Sequence, residues 1–189
     1  MEQILGNSDI SDWIGNKNSS GGIVDIVTAE LINSTIGKKP NEDFKNGDPL
    51  PPLWHWFAFP SATHISQLGD DGHPKHVGYT PPKDLTRRMW ASGSLTFHSN
   101  LRVGEEITKD TTVSDIKEKE SQSGKMVFIT YEHKLRNSGN IAITETQNIV
   151  YLQASDTFNP PKKRDVPQPD YPKAKIVISN PLLFSFSSL

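Results

Sequence analysis

From Met89 onward apolar and polar residues alternate in four strand-sized runs separated by turn signals, and this pattern constrains the fold more than any other feature of the chain. LTFHS leads into a turn around Val103 and Gly104, EITKDTTVSDIKEKES ends at Ser123 and Gly124, KMVFITYEHKLR ends at NSGN, and IAITETQNIVYLQ completes the set. The third run puts Val127, Ile129, Tyr131, His133 and Leu135 on one face, and Met126, Phe128, Thr130, Glu132 and Lys134 on the other. In the second run the alternation slips between Val113 and Ile116, which predicts a β-bulge. Four such runs at short spacing predict an antiparallel meander, and its apolar face has to be covered.

The cover comes from upstream. Asp25 is a helix cap, and Ile26, Ala29, Ile32 and Ile36 recur at three- and four-residue steps until Gly37 closes the segment. A shorter helix over Ser8 to Ile14 is expected to be broken by Ser19, Ser20, Gly21 and Gly22. Residues 38–52 and 69–82 read as loops. The first loop delivers the chain to PLPPLWHWFAFP, residues 49–60. That aromatic cluster is far shorter than the about 20 apolar residues a membrane span needs, so it packs inside the fold or faces a ligand.

Composition removes several function classes. Of 189 residues, 34% are apolar, enough for a domain with a real core. A net charge of -2 carries no basic footprint for a phosphate backbone, so nucleic acid is not an expected partner. The absence of cysteine excludes disulfide scaffolds, thiolate metal sites and cysteine nucleophiles. No basic residue precedes Lys17 and no continuous apolar stretch follows Met1, so a cytoplasmic location without membrane attachment is expected.

The strings PLPPLWHWFAF, LGDDGHP, GYTPP, RRMWASGSLTF, LRVGEE, SGKMVFITYEHK and NIVYLQ occur in an order and spacing that resemble the N-terminal half of double hot-dog hydratases. These MaoC-like enzymes include the mesaconyl-C4-CoA hydratases and the mitochondrial-type 3-hydroxyacyl thioester dehydratases. The resemblance implies an α+β hot-dog fold, an antiparallel sheet wrapped on a helix, over residues 1–153. The proline-rich, charged stretch 154–175 reads as an extended linker, and the resemblance implies the first strand of a second, truncated hot-dog domain at 176–189, where KIVISNPLLFSFSSL is strongly apolar. The activity implied is addition or removal of water across the C2 to C3 bond of an acyl thioester. The substrate brings its own coenzyme A or carrier phosphopantetheine, and no separate cofactor is needed. An Asp or Asn and a His activate the water in such enzymes, and the family places that dyad in the C-terminal half, beyond Leu189. The expected partner is therefore a catalytic hot-dog half, in the same polypeptide or in trans, and the chain alone is expected to be inactive or nearly so. The alternative is a homodimeric, noncatalytic hot-dog protein that binds acyl thioesters or serves a structural role.

Within the chain, DGHPKH nearly spells the dyad, with Asp71 and His76 as candidates. A turn-rich loop is the favoured reading there, because Pro81 and Pro82 forbid the helix that should follow. A metal reading of Asp71, His73 and His76 lacks a fourth ligand, so no metal is expected. Trp54, His55 and Trp56 are candidate substrate-binding residues, with packing the main role of the tryptophans and His55 a polar tip near an acyl pocket, the third catalytic candidate. Arg87 and Arg88, directly before Trp90, are placed to grip phosphates while the indole lines the acyl path. The competing role for the arginines is structural pairing with Asp84 or Glu105.

Overall fold

A computed structural model describes residues 10–37, 43–60, 62–69, 72, 74, 85–121, 124–154, 165 and 176–189. Five strands form one antiparallel sheet: β1 (Lys17–Ile23), β2 (Arg87–Phe97), β3 (Glu106–Ser121), β4 (Gly124–Asn137) and β5 (Asn140–Leu152), in the order β1-β3-β4-β5-β2. Helix α1 (Ile26–Ile36) starts at Asp25, whose carboxylate accepts the Thr28 backbone N–H at 2.7 Å. Its Ala29 and Ile32 are fully buried against Ile107, Leu135 and Ile143 of the sheet. This is a hot-dog arrangement, a long antiparallel sheet over one helix.

The expected inner face of β4 is borne out, since Val127, Ile129, His133 and Leu135 are all buried. So is the bulge in β3, where the register shifts between Val113 and Asp115. Three expectations need correction. Residues 17–23 form β1 along β3, with Lys17 opposite Thr112 and Ile23 opposite Glu106, where glycines and serines were read only as a helix breaker. Pairing overrides the poor strand propensity of KNSSGGI, and the Ser19 hydroxyl fastens it by donating to Asp110 at 2.8 Å. Of the short helix expected over Ser8 to Ile14, only a 3-10 turn at Ile10–Trp13 lies among the described residues.

The second correction concerns topology. Only β3, β4 and β5 form a meander, while β2 joins the far side of β5. The connection from β2 to β3 is not a hairpin: Leu101 and Val103 are buried, and the backbone pairs Leu50 N–H with Leu101 C=O at 2.8 Å and Val103 N–H with Asp48 C=O at 2.9 Å. This segment carries the chain past β5 and β4 to the other side of the sheet. Third, the terminal segment is not a strand. Residues Asn180–Ser187 form helix α2, started by the Ser179 hydroxyl accepting Leu182 N–H at 3.3 Å and by Pro181 in the first turn. The linker expected at 154–175 falls outside the described residues except for Ala154 and Asp165.

The buried apolar residues fall into two clusters. One surrounds α1 and includes Val24, Leu50, Trp54 and Leu135. The other lies further along the sheet, around Val127, Ile129, Ile149 and Leu85. Between Leu135 and Ile129 on β4 comes His133, and between Ile143 and Ile149 on β5 comes Glu145, so the inner face is polar in its middle.

Candidate functional site

PLPPLWHWFAFP becomes a loop and a 3-10 turn over Trp54–Ala58. Leu53 enters it with φ 75, a left-handed backbone that costs a non-glycine residue about 1–2 kcal/mol. The turn lies hard against β1: a Cβ on Gly22 would stand 2.2 Å from the Ala58 carbonyl oxygen, so only glycine permits this approach. The turn sends its three rings different ways. Trp54 is buried in the helix-side core against Phe44, with centroids 5.4 Å apart. His55 points inward and is 2% exposed, and Trp56 is 42% exposed.

Glu145 lies beneath the turn and is 3% exposed. The Trp56 indole N–H donates to both its oxygens, at 3.1 and 3.3 Å, and Gln147 Nε2 donates to Oε1 at 2.7 Å. His55 Nε2 stands 3.6 Å from Oε2, too far for a hydrogen bond but close enough to act by charge. Burial pushes the Glu145 carboxyl up, but His55, Gln147 and His133 together outweigh it and hold it below the ordinary carboxylate value. His133 faces Glu145 directly across the β4–β5 ladder, with Nδ1 2.8 Å from the Thr111 hydroxyl. Its burial, against the pull of Glu145 and with the help of Lys109, keeps the imidazole pKa down. Lys109 is itself shifted down by burial and places its Nζ 4.1 Å above the Phe59 ring.

Outward of this network runs an aromatic wall. Trp90 of β2 meets Trp56 edge-on at 6.4 Å, and Phe97 of β2 meets His55 at 6.1 Å. Trp90 is 59% exposed, and Met89 and Phe97 are about half exposed. The register breaks between Trp90 and Ser92, and the indole lies over Gly93, where a Cβ would stand 3.0 Å from the ring. Strand alternation puts Arg88 on the Trp90 side of β2 and Arg87 on the opposite side. The pairing expected of Glu105 goes elsewhere, since its carboxylate accepts the Arg102 backbone N–H at 3.1 Å. Asp84 lies outside the described residues, as do Asp71, His73 and His76 of the DGHPKH loop.

The geometry thus joins His55, Trp56 and Trp90 into one site and sends Trp54 to the core. A carboxylate held below its ordinary pKa and already satisfied by indole and amide donors is a weak base and a poor acid, so Glu145 is an anchor rather than a water-activating group. Among the described residues no group of His, Asp and Glu is arranged to hold a metal ion, and no helix is long and apolar enough to cross a membrane.

The sequence model of the hydroxyacyl-thioester dehydratase type 2 family matches residues 53–189, from the aromatic turn through α2. The chain belongs to the hydroxyacyl-thioester dehydratase type 2 family. It is also 33% identical over 187 residues to the mesaconyl-C(4)-CoA hydratase of Chloroflexus aurantiacus, a match covering 98% of this chain and 66% of that protein. The chain therefore spans a little under two thirds of that relative's length. Among solved structures, the R-hydratase PhaJ1 of Pseudomonas aeruginosa is similar with a TM-score of 0.46 and 11% identity, over 80% of this chain and 92% of that one. A chain of the ChsH1-ChsH2 complex of Mycobacterium tuberculosis is similar with a TM-score of 0.47 and 12% identity, over 74% of this chain and 85% of that one.

The residues of this site that sequence reasoning missed are Glu145, Gln147 and Phe97. The signal was present in IAITETQNIVYL, because the alternation that turns Ile143 and Ile149 inward turns Glu145 and Gln147 inward too. A charged residue on an apolar strand face requires a partner, and the alternation of β4 puts His133 on that same face.

Proposed function

We propose that this domain is the substrate-shaping half of an acyl-thioester hydratase or dehydratase, adding or removing water at the C2–C3 bond of an acyl-CoA or acyl-carrier thioester. A second hot-dog half, in the same polypeptide or in trans, supplies the Asp/Asn and His that activate water. The observation that carries this reading is the half-exposed wall of Trp56 on the 3-10 turn and Trp90 and Phe97 on the edge strand β2, beside a buried carboxylate that is tied up as an anchor. An apolar wall suits an acyl chain, and an anchored carboxylate leaves the proton chemistry to other groups. Arg88, two residues before Trp90 on the same side of β2, is positioned for the phosphates of coenzyme A or of a carrier arm. Membership of a dehydratase family and the likeness to a mesaconyl-C(4)-CoA hydratase support the reaction class.

The test is hydration of an enoyl-CoA followed as loss of enoyl absorbance. The purified chain alone is expected to show almost no turnover, because removing the water-positioning groups costs orders of magnitude in rate. Adding a polypeptide that carries an Asp/Asn–His hot-dog half, or fusing one after Leu189, is expected to restore it. Ordinary turnover by the chain alone, abolished by substituting Asp71 or His76, would instead make DGHPKH the active site. Loss on substituting His55 would place the chemistry in the aromatic turn.

A further inference from the structure

We propose that Glu145 is a positioning residue for acyl-thioester binding, which acts through Trp56 by holding the indole in the wall beside Trp90. The inference rests on the reading of that wall as the acyl surface. Trp56 lies on a 3-10 turn, whereas Trp90 lies on the edge strand β2, so two separate pieces of chain must be brought to one surface. Glu145 sits on β5, opposite Leu95 of β2 on one side and His133 of β4 on the other. Its carboxylate takes the indole N–H on both oxygens, a charge-assisted bond of roughly twice the strength of a neutral one. A tryptophan that is 42% exposed has room to turn its N–H to water, and the buried acceptor is what opposes that. Gln147, donating at 2.7 Å, fixes the carboxylate from the strand side. Removing the acceptor leaves the fold's apolar clusters untouched but releases the ring that faces the ligand.

The experiment titrates the full chain with crotonyl-CoA and reads quenching of tryptophan emission, with near-ultraviolet circular dichroism as the check on folding. Glu145→Leu is expected to weaken binding roughly tenfold and to shift the unliganded emission maximum, as a released indole reports its new solvent contact. Glu145→Gln keeps an oxygen for Trp56 and turns an NH2 toward His55 Nε2, so it is expected to bind within about threefold of the original chain. Trp56→Phe is expected to weaken binding as much as Glu145→Leu, and the double substitution no further, the signature of one residue acting through the other. A folded Glu145→Leu chain with unchanged affinity overturns the proposal, and so does additivity of the two substitutions. If Glu145→Leu does not fold, Gln147→Leu, which removes the donor that fixes the carboxylate, decides: it must weaken binding only while Trp56 is present, and no weakening, or equal weakening in the Trp56→Phe background, overturns the proposal. Failure of the unsubstituted chain to bind crotonyl-CoA at all refutes the acyl-surface reading and this proposal with it. Binding by the unsubstituted chain that Glu145→Leu leaves unchanged overturns this proposal alone and spares that reading.

Discussion

The two halves of the inner sheet face beside α1 are built on different physics. Around Ile32, Leu135 and Ile143 the core is wholly apolar and has the helix packed on it. One row further along, half-buried Thr111 and buried His133 and Glu145 run side by side across β3, β4 and β5, all polar. The apolar half depends on area removed from water, which varies little with pH and tolerates no cavity. The polar row depends on each group meeting its partner in the right protonation state, so it adds little net stability and is sensitive to acid. Stability therefore resides in the apolar rows on either side, and the polar row that anchors Trp56 is specified by hydrogen bonds instead.

That contrast can be broken by substitution. The largest effect is expected for Ile32→Ala, where a fully buried side chain leaves a cavity under the helix, costing about 2–5 kcal/mol in urea denaturation. A smaller, pH-dependent effect is expected in the polar row. The His133 pKa is lowered in the folded state, so its contribution is fully present above the unfolded value of 6.5 and is lost as pH falls toward the folded value. Urea titrations from about pH 7.5 down to about pH 5 should show stability falling by at most about 1.4 kcal/mol per pH unit for this one proton. His133→Asn keeps a polar atom near Thr111 and does not titrate, so it should flatten that window. Glu145, also lowered, contributes above its ordinary value of 4.5 and loses that contribution only in stronger acid, outside the same window. An unchanged slope in His133→Asn would mean that the row is not the acid-sensitive region.

Asp25→Ala should cost about 1 kcal/mol by removing the α1 cap, without altering the pH profile between 5 and 7.5, which places it with the helix half. The smallest effect is expected for Lys125→Ala. Its pair with Glu118 at 3.1 Å joins two side chains nearly half exposed, and such pairs are worth about 0–1 kcal/mol.

The legible parts of the fold were those set by local pattern. Asp25 followed by Ile26, Ala29 and Ile32 marked α1, and the slip after Val113 marked the bulge. β1 was hidden because Lys17–Ile23 has neither alternation nor strand-forming residues, and only its pairing with β3 makes it a strand. α2 is hidden because the apolar run from Ile176 has the composition of a strand, while the helix is started by only two residues within it, Ser179 and Pro181. At the site, the aromatic turn was visible as composition, but Trp54 and Trp56 looked equivalent. Their opposite fates follow from the core around Phe44 that takes Trp54 and from Glu145, far along the chain, which takes the indole N–H of Trp56.

The sequence by itself determined the strand faces, the helix that covers them and the presence of an aromatic segment, because side-chain periodicity is a property of neighbouring residues. Only the tertiary structure decided that β2 lies beside β5, that Glu145 meets Trp56 and that the wall contains Trp56 and Trp90 but not Trp54. Those are contacts between residues far apart in the chain, and they are set by which backbones pair and which buried polar groups find partners, conditions that no local stretch encodes.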